Sequence, residues 1–170
     1  MEEMNDAVSF LYYGDRTGDF MRAFTKLTMN EAFPWHRAIR WIEANEAGRA
    51  AILKDAMPGI LKAPELNARL DEAVREMNRA APAMAESRRQ AVHTVLAAAA
   101  GVRILNEIGL ALASLKAGAD TDHQDPLKLA SELEKWYHEY IRVWDRTCRR
   151  STLERTRRCI DALADVLRNR

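Results

Sequence analysis

Two side chains near the middle of the sequence, Arg88 and His93, are of types that take part in phosphate chemistry, and four residues separate them. A histidine can shuttle the proton of a ribose 2′-hydroxyl group. An arginine can stabilise the charge that develops on a pentacoordinate phosphate. One interpretation of this pair is that the chain cleaves RNA without a metal ion.

The spacing of Arg88 and His93 is similar to the Arg-x4–6-His motif of HEPN-type ribonucleases, which are small all-helical proteins. The resemblance implies that these two residues are catalytic. Because the sequence is rich in arginine, the same spacing also arises by chance. A second interpretation places His93 at the edge of a helix interface and Arg88 in solvent, and ribonuclease activity is kept as an alternative function.

Other arrangements that carry chemistry are incomplete in this sequence. A di-iron site in a helical bundle needs Glu-x-x-His pairs, but Gln90 stands three residues before His93, and Glu134 stands four residues before His138. The segment that begins at His138 fails the His-Glu-x-x-His zinc pattern, because Arg142 occupies the second ligand position. Nucleophile-elbow, phosphate-loop and dinucleotide motifs are also missing. We therefore expect neither a metal nor a cofactor.

Composition favours a compact helical protein. The chain has 170 residues, of which 48% are hydrophobic and 30% charged, with a formal net charge of +1. The first residues lack the basic region and apolar run of a signal peptide, so we expect a cytoplasmic location. Cys148 and Cys159 are too few for a disulfide framework, and we expect two reduced thiols, with a bridge between them as the alternative.

Apolar residues recur at helical spacing, and no alternating pattern typical of strands is found. The predicted helices cover 18–32, 34–47, 64–80 and a long alanine-rich stretch near 83–117, followed by one that starts at Pro126 and one that opens at Ser151. Asp125 is the expected N-cap before Pro126. Ser151 and Glu154 form the pattern of a capping box.

The expected fold is an all-α, up-and-down bundle of five to seven helices. We expect one helical domain over 1–170, with a possible N-terminal subregion over 1–60 and a core bundle over 64–170. The most apolar stretch is interrupted by Arg103 and Glu107, so no membrane span is expected. An apolar stripe that includes Tyr137, Tyr140, Ile141 and Trp144 is expected to pack on the long helix around Val95 to Leu105.

The C-terminal end of the chain is basic. Residues 142–170 contain nine arginines against four carboxylates, a local excess of five positive charges. Such an excess can mark a nucleic-acid surface, but arginine and carboxylate side chains at helical spacing also form a solvated face. We favour the solvated face, and a nucleic-acid-binding or protein-binding module that uses this basic face is the alternative.

The last third of the chain resembles the helical segment that follows the catalytic barrel in bacterial proteins of glycoside hydrolase family 20, the β-N-acetylhexosaminidases and their relatives. In that segment a helix ending in Tyr-x-x-x-Trp leads into a turn of the form Trp-x-x-Arg-Asn-Arg-Pro-Gly-Gly-Leu-x-x-Ser. The matching residues are Tyr140, Trp144, Arg149, Leu153 and Thr156. The departures are Thr147 for the first arginine, Cys148 for the asparagine, Arg150 for the proline, and Ser151 and Thr152 for the two glycines.

This resemblance covers about half of the chain and implies a non-catalytic accessory domain. The family's catalytic Asp-Glu pair lies on its barrel, and this sequence has no predicted strand to carry such a pair. The expected partner is the catalytic barrel of a parent protein or a second copy of the chain. The residues expected to contact that partner are Tyr140, Trp144, Arg146, Arg149 and Arg150.

Overall fold

The computed structural model describes residues 2–27, 30–144 and 153–169, and within them it contains helices and no strand. The α-helices are α1 (Glu2–Tyr13), α2 (Asp19–Leu27), α3 (Trp35–Glu43), α4 (Glu46–Ile60), α5 (Ala63–Ala80), α6 (Arg89–Ala117), α7 (Pro126–Trp144) and α8 (Leu153–Arg168). Two short 3₁₀ turns, Ala81–Ala83 and Glu86–Arg88, connect α5 to α6. The predicted all-α class is confirmed.

The described residues form eight α-helices, where the sequence predicted five to seven. The two additional helices are α1 and α4, for which no helix of its own was predicted. The predicted helix over 34–47 is too long, because Ala44 has an extended backbone (φ −81°, ψ 153°) that ends α3. The side chain of Asn45 then accepts a hydrogen bond from the N–H of Gly48 at 2.9 Å and starts α4.

The long helix begins at Arg89, later than the predicted start near 83. The backbones of Met84 and Ala85 are not helical (ψ 153° and 136°) and therefore separate α6 from the 3₁₀ turn that contains Pro82. With 29 residues, α6 is about 43 Å long at 1.5 Å per residue. The predicted start of α7 at Pro126 is confirmed, and the N–H of Leu129 donates to the carbonyl of Asp125 at 2.9 Å.

The chain divides into two compact units, each built from two separate stretches. Unit 1 consists of Met1–Asn30 and Glu65–Ala99, and unit 2 of Glu31–Pro64 and Ala100–Arg170. Helix α6 contributes its first part to unit 1 and the rest to unit 2. The single domain expected over 1–170 stays a prediction.

Unit 1 contains α1, α2, most of α5 and the beginning of α6. Its core consists mainly of buried side chains from α2 and α5: Phe20, Ala23, Leu27, Leu70, Ala73 and Met77. At its surface, the Lys26 ammonium group pairs with the Glu76 carboxylate at 2.6 Å and links α2 to α5. The N–H of Ala85 donates to the carbonyl of Tyr13 at 3.1 Å and ties down the end of α1.

Unit 2 is organised around the second part of α6. The buried side chain of Asn106 accepts a hydrogen bond from the N–H of Ala32 at 2.7 Å, which satisfies a polar group in the core. At Gly109, a Cβ atom would come within 2.8 Å of the Cβ of Phe33, so the glycine allows that ring to lie against the helix. These contacts fix the segment that leads into α3.

Helix α7 contacts two neighbours in unit 2 through adjacent residues. The indole of Trp136 lies against α6 at Gly101, where a Cβ atom would overlap the ring. The hydroxyl of Tyr137 donates to the carbonyl of Leu153 on α8 at 2.9 Å. The expected stripe placed Tyr137 against α6 and left out Trp136. Successive helical residues point about 100° apart, so adjacent residues of α7 reach two different helices.

One stretch in the described part of the chain, Glu86–Ala117, is long and apolar enough to cross a membrane when only length and composition are considered. Half of its most apolar window is buried inside the protein. A core helix passes the same test, so the absence of a membrane partner stays a prediction.

Candidate interaction surface

Helix α1 packs into unit 1 through its polar side. Ser9 is fully buried, and its hydroxyl accepts a hydrogen bond from the N–H of Met21 at 3.1 Å. The carboxylate of Asp6 accepts one from the guanidinium of Arg22 at 2.8 Å. An amphipathic surface helix normally buries its apolar side, and α1 reverses that arrangement over most of its length.

The opposite side of α1 is apolar and exposed. Exposed fractions are 62% for Met4, 51% for Phe10, 73% for Leu11 and 65% for Tyr12. Met4 and Leu11 lie in line, with Ala7 between them, while Phe10 and Tyr12 flank this line on its two sides. These five residues define the α1 outward face. Only two further large apolar side chains of the described residues are exposed to a similar degree, Leu61 and Leu127, so apolar exposure is concentrated on α1.

The size of the α1 outward face is in the range of functional patches. Large apolar side chains expose about 150–250 Å² each when free, so the four large ones leave roughly 500 Å² in solvent. Patches of about 300–600 Å² are the largest on a typical monomer and are often binding sites. Isolated exposed leucines need no such explanation.

A short turn holds α1 in its orientation. Gly14 has a positive φ of 68° and ends the helix, and its N–H donates to the carbonyl of Phe10 at 3.0 Å. The buried carboxylate of Asp15 accepts hydrogen bonds from the N–H and the hydroxyl of Thr17, at 2.9 and 2.6 Å, and from the N–H of Phe20, at 2.9 Å. The turn thereby connects the end of α1 to the first residues of α2.

The hydrogen bonds to Asp15 set its protonation. Burial raises the pKa of this carboxyl, but the hydrogen bonds from Thr17 and from the N–H of Phe20 outweigh burial, and the pKa lies below its ordinary value of 3.8. Asp15 is therefore a carboxylate at neutral pH. The aromatic rings of Tyr13 and Phe20, with centroids 4.4 Å apart, form the apolar contact beside this cluster.

Arg16 lies at the C-terminal edge of the α1 outward face. Its guanidinium carbon is 6.0 Å from the centre of the Phe10 ring, and the side chain is exposed. A cation at this distance from an aromatic ring is weakly attracted to it. The apolar face therefore ends in a positive charge on this side.

The partner-binding residues expected near the end of α7 lie mostly beyond the described residues. Tyr140 is partly buried and stacks on Trp136, with ring centroids 5.1 Å apart. Three of the expected residues, Arg146, Arg149 and Arg150, lie outside the described residues, as does the side chain of Trp144. Cys148 and the capping residue Ser151 also lie outside them. Binding at this segment stays a prediction.

The described arginines of α8 are paired with carboxylates. Arg155 pairs with Glu43 of α3 at 2.7 Å, and Arg168 pairs with Glu134 of α7 at 2.6 Å. Within α8, Arg158 pairs with Glu154 and Arg157 with Asp161. These pairs favour the solvated face over a surface that binds the phosphates of a nucleic acid. Exposed ion pairs of this kind add little to the stability of the fold.

The side chains of the alternative catalytic pair, Arg88 and His93, are both exposed. Arg88 ends the second 3₁₀ turn, and His93 lies in the first part of α6. In the part of the chain that the structure describes, no group of three or more His, Cys, Asp or Glu side chains is arranged to hold a metal. Cys159 is buried, and burial raises the pKa of its thiol.

The two larger of the open cavities described in unit 2 are lined by polar and charged side chains as well as apolar ones. One, of about 530 Å³, is lined by residues that include Trp41, Arg49 and Asp165. Arg49 stacks over the Trp41 ring at 4.9 Å and donates to the carbonyls of Trp41 and Ile42, so it closes the end of α3. The other, of about 540 Å³, lies between α6 and α7 and is lined by charges of both signs.

Comparison with protein-family models, with curated proteins and with solved structures found no match for this chain. The resemblance to the helical segment of glycoside hydrolase family 20 proteins therefore stays a prediction.

Sequence reasoning missed the α1 outward face. No helix is predicted over the first residues, although Met4, Ala7 and Leu11 have helical spacing. The spacing alone predicts a helix with an apolar side, and ordinary packing rules would have turned that side inward. What reverses the orientation is the contact of Ser9 with Met21, which the sequence pattern does not indicate.

Proposed function

We propose that this chain is a non-catalytic helical interaction module, and that it binds another protein through the α1 outward face. The observation that carries the proposal is the reversed orientation of α1, with polar Ser9 buried and apolar Leu11 73% exposed. Burying a large apolar side chain is favourable by about 1.5–3 kcal/mol relative to leaving it in water. A partner that covers this face therefore gains the free energy of burying these apolar side chains, which folding of the chain leaves in water.

The described contacts support a rigid surface. The hydrogen bonds of Asp15 and the Ala85–Tyr13 hydrogen bond hold α1 at its C-terminal end, and the Asp6–Arg22 pair holds it on its polar side. A helix fixed in advance loses less conformational entropy on binding than a flexible one.

We also propose that this module has an accessory role beside the catalytic barrel of a protein similar to glycoside hydrolase family 20. That role depends on the resemblance of the C-terminal third of the chain. It is tested by reading the gene upstream of this sequence, where a βα barrel is expected. Pure chain is also expected to release no chromophore from an aryl N-acetylglucosaminide, and measurable release would contradict the accessory role.

The interaction proposal is tested by photo-crosslinking in cells that express the protein. A photoreactive phenylalanine analogue replaces Tyr12 on the α1 outward face, and in a matched control it replaces Leu127, which is exposed on α7. We expect a crosslinked species of discrete mass from position 12 that position 127 does not produce. Equal patterns from the two positions, or no adduct from position 12, would contradict the proposal.

A further inference from the structure

We infer that the occupant of the α1 outward face is the same face of a second copy of the chain, with the two α1 helices antiparallel across a two-fold axis. This inference rests on the proposed function and names its partner. An interface across a two-fold axis uses one surface twice, so that surface must be complementary to itself.

The apolar residues of the α1 outward face meet that requirement. Met4 and Leu11 are seven residues apart, which is the spacing of a packing seam between two helices. With the axis near Ala7, Met4 of one copy lies against Leu11 of the other, and this pair occurs twice. Ala7 is small and lies at the crossing point, where it allows the two backbones to approach closely.

Charge favours the antiparallel direction. Arg16 follows the last turn of α1 and lies beside Phe10. An antiparallel pair places the two Arg16 side chains at opposite ends of the interface. A parallel pair would bring the two arginines together, and it would also align the two helix dipoles unfavourably.

The area buried in the dimer interface indicates how tightly the two copies are expected to bind. About 500 Å² from each copy gives roughly 1,000 Å² in total, which is below the standard size of stable interfaces and in the range of weak, transient ones. Interfaces of standard size have dissociation constants from micromolar to picomolar, so for this smaller one we expect a reversible dimer with a dissociation constant on the order of 10–100 µM.

The oligomeric state of the full chain, whose monomer mass is 19.3 kDa, tests the inference. Sedimentation velocity over about 1–500 µM brackets the expected dissociation constant. We expect a shift from monomer to dimer for the wild type and for the control variant Leu127→Glu, and only monomer for Leu11→Glu. Equal thermal unfolding curves for the two variants show that both are folded. Wild-type monomer throughout the range, or a Leu11→Glu variant that dimerises like the wild type, would overturn the inference.

Mixing two variants tests the antiparallel geometry. Met4→Lys and Leu11→Glu are each expected to be monomeric, since a homodimer of either would bury unpaired charges. In their mixture, a heterodimer pairs the introduced lysine with the introduced glutamate and keeps one Met4–Leu11 contact only if the helices are antiparallel. We expect dimers in the mixture, and a mixture that stays monomeric while the wild type dimerises would overturn the antiparallel arrangement.

The crosslink from position 12 separates this inference from the proposed function. An adduct with twice the mass of the chain supports the second copy. A discrete adduct of another mass, with a monomeric wild type in sedimentation, overturns the second copy and leaves the interaction module standing. If position 12 forms no adduct and the wild type is monomeric, both proposals fail.

Discussion

The hydroxyl of Ser9 accepts a hydrogen bond from the N–H of Met21 at 3.1 Å, in a position where α1 would ordinarily present an apolar side chain to its neighbour. The contact satisfies one of the free N–H groups in the first turn of α2. It also turns the helix so that Met4 and Leu11 lie in solvent. The proposed binding surface is thus a consequence of how α1 is anchored.

The buried carboxylate of Asp15 is expected to contribute strongly to stability. Replacing it by alanine leaves the N–H groups of Thr17 and Phe20 without their acceptor, and should cost about 1–3 kcal/mol of unfolding free energy. Urea unfolding followed by circular dichroism measures the loss. The control Asp161→Ala removes an exposed carboxylate that pairs with Arg157 at 3.8 Å, and should change stability by less than about 0.5 kcal/mol. Equal losses in the two variants would contradict the role given to Asp15.

The pKa of Asp15 predicts a particular acid dependence. Because its folded pKa lies below the ordinary value of 3.8, the unfolded chain binds the proton first as the pH falls. The stability that Asp15 provides is complete above pH 3.8 and is lost as the pH falls through its folded pKa. The difference in unfolding free energy between wild type and Asp15→Ala should shrink over that window. A difference that grows on acidification would contradict this assignment.

The contact of Trp136 with Gly101 predicts the sign of a substitution. Helix propensity alone makes Gly101→Ala stabilising by about 1 kcal/mol. Because a Cβ atom there overlaps the indole ring, we expect a net loss of about 1–3 kcal/mol, as for other overpacked sites. The same substitution in a Trp136→Leu background should recover part of this loss, which a double-mutant cycle of unfolding free energies measures. A stabilised single variant would show that the ring does not lie on Gly101.

The carboxylate partners of the α8 arginines predict weak affinity for nucleic acids. Titration with short RNA and DNA at two salt concentrations should show no micromolar binding, since Arg155 and Arg168 are engaged by Glu43 and Glu134. Micromolar binding whose logarithm falls by several units per unit of log salt would report several phosphate contacts. That result would favour the nucleic-acid-binding alternative.

Local signals in the sequence predicted much of the helical framework. The start of α7 follows from Asp125 and Pro126, because a proline at the first helical position and an acidic N-cap act within a few residues. The predicted start of α6 is too early, since alanines around Pro82 suit a helix and the non-helical backbone of Met84 and Ala85 has no comparable local signal.

The candidate surface was harder to predict than the framework. Helical spacing shows which residues of α1 share a side, but the side that packs is decided by contacts with Met21 and Arg22, more than ten residues away in the chain. The same limit applies to α7, where spacing grouped Tyr137 with Tyr140 and the contact with α6 is made by Trp136. The orientation of each helix depends on tertiary contacts, which the periodicity of the sequence does not show.

The orientation of α1 is the central claim, and thiol labelling at two positions of this helix tests it most directly. In a Cys148→Ser background, Leu11→Cys and Ser9→Cys variants react with a small thiol reagent in dilute, native protein, while native Cys159 is buried. We expect residue 11 to react at nearly the rate of a free thiol and residue 9 to react much more slowly, because their native side chains are exposed and buried, respectively. Faster labelling at residue 9 than at residue 11 would show that the apolar side of α1 faces inward, and would contradict the account.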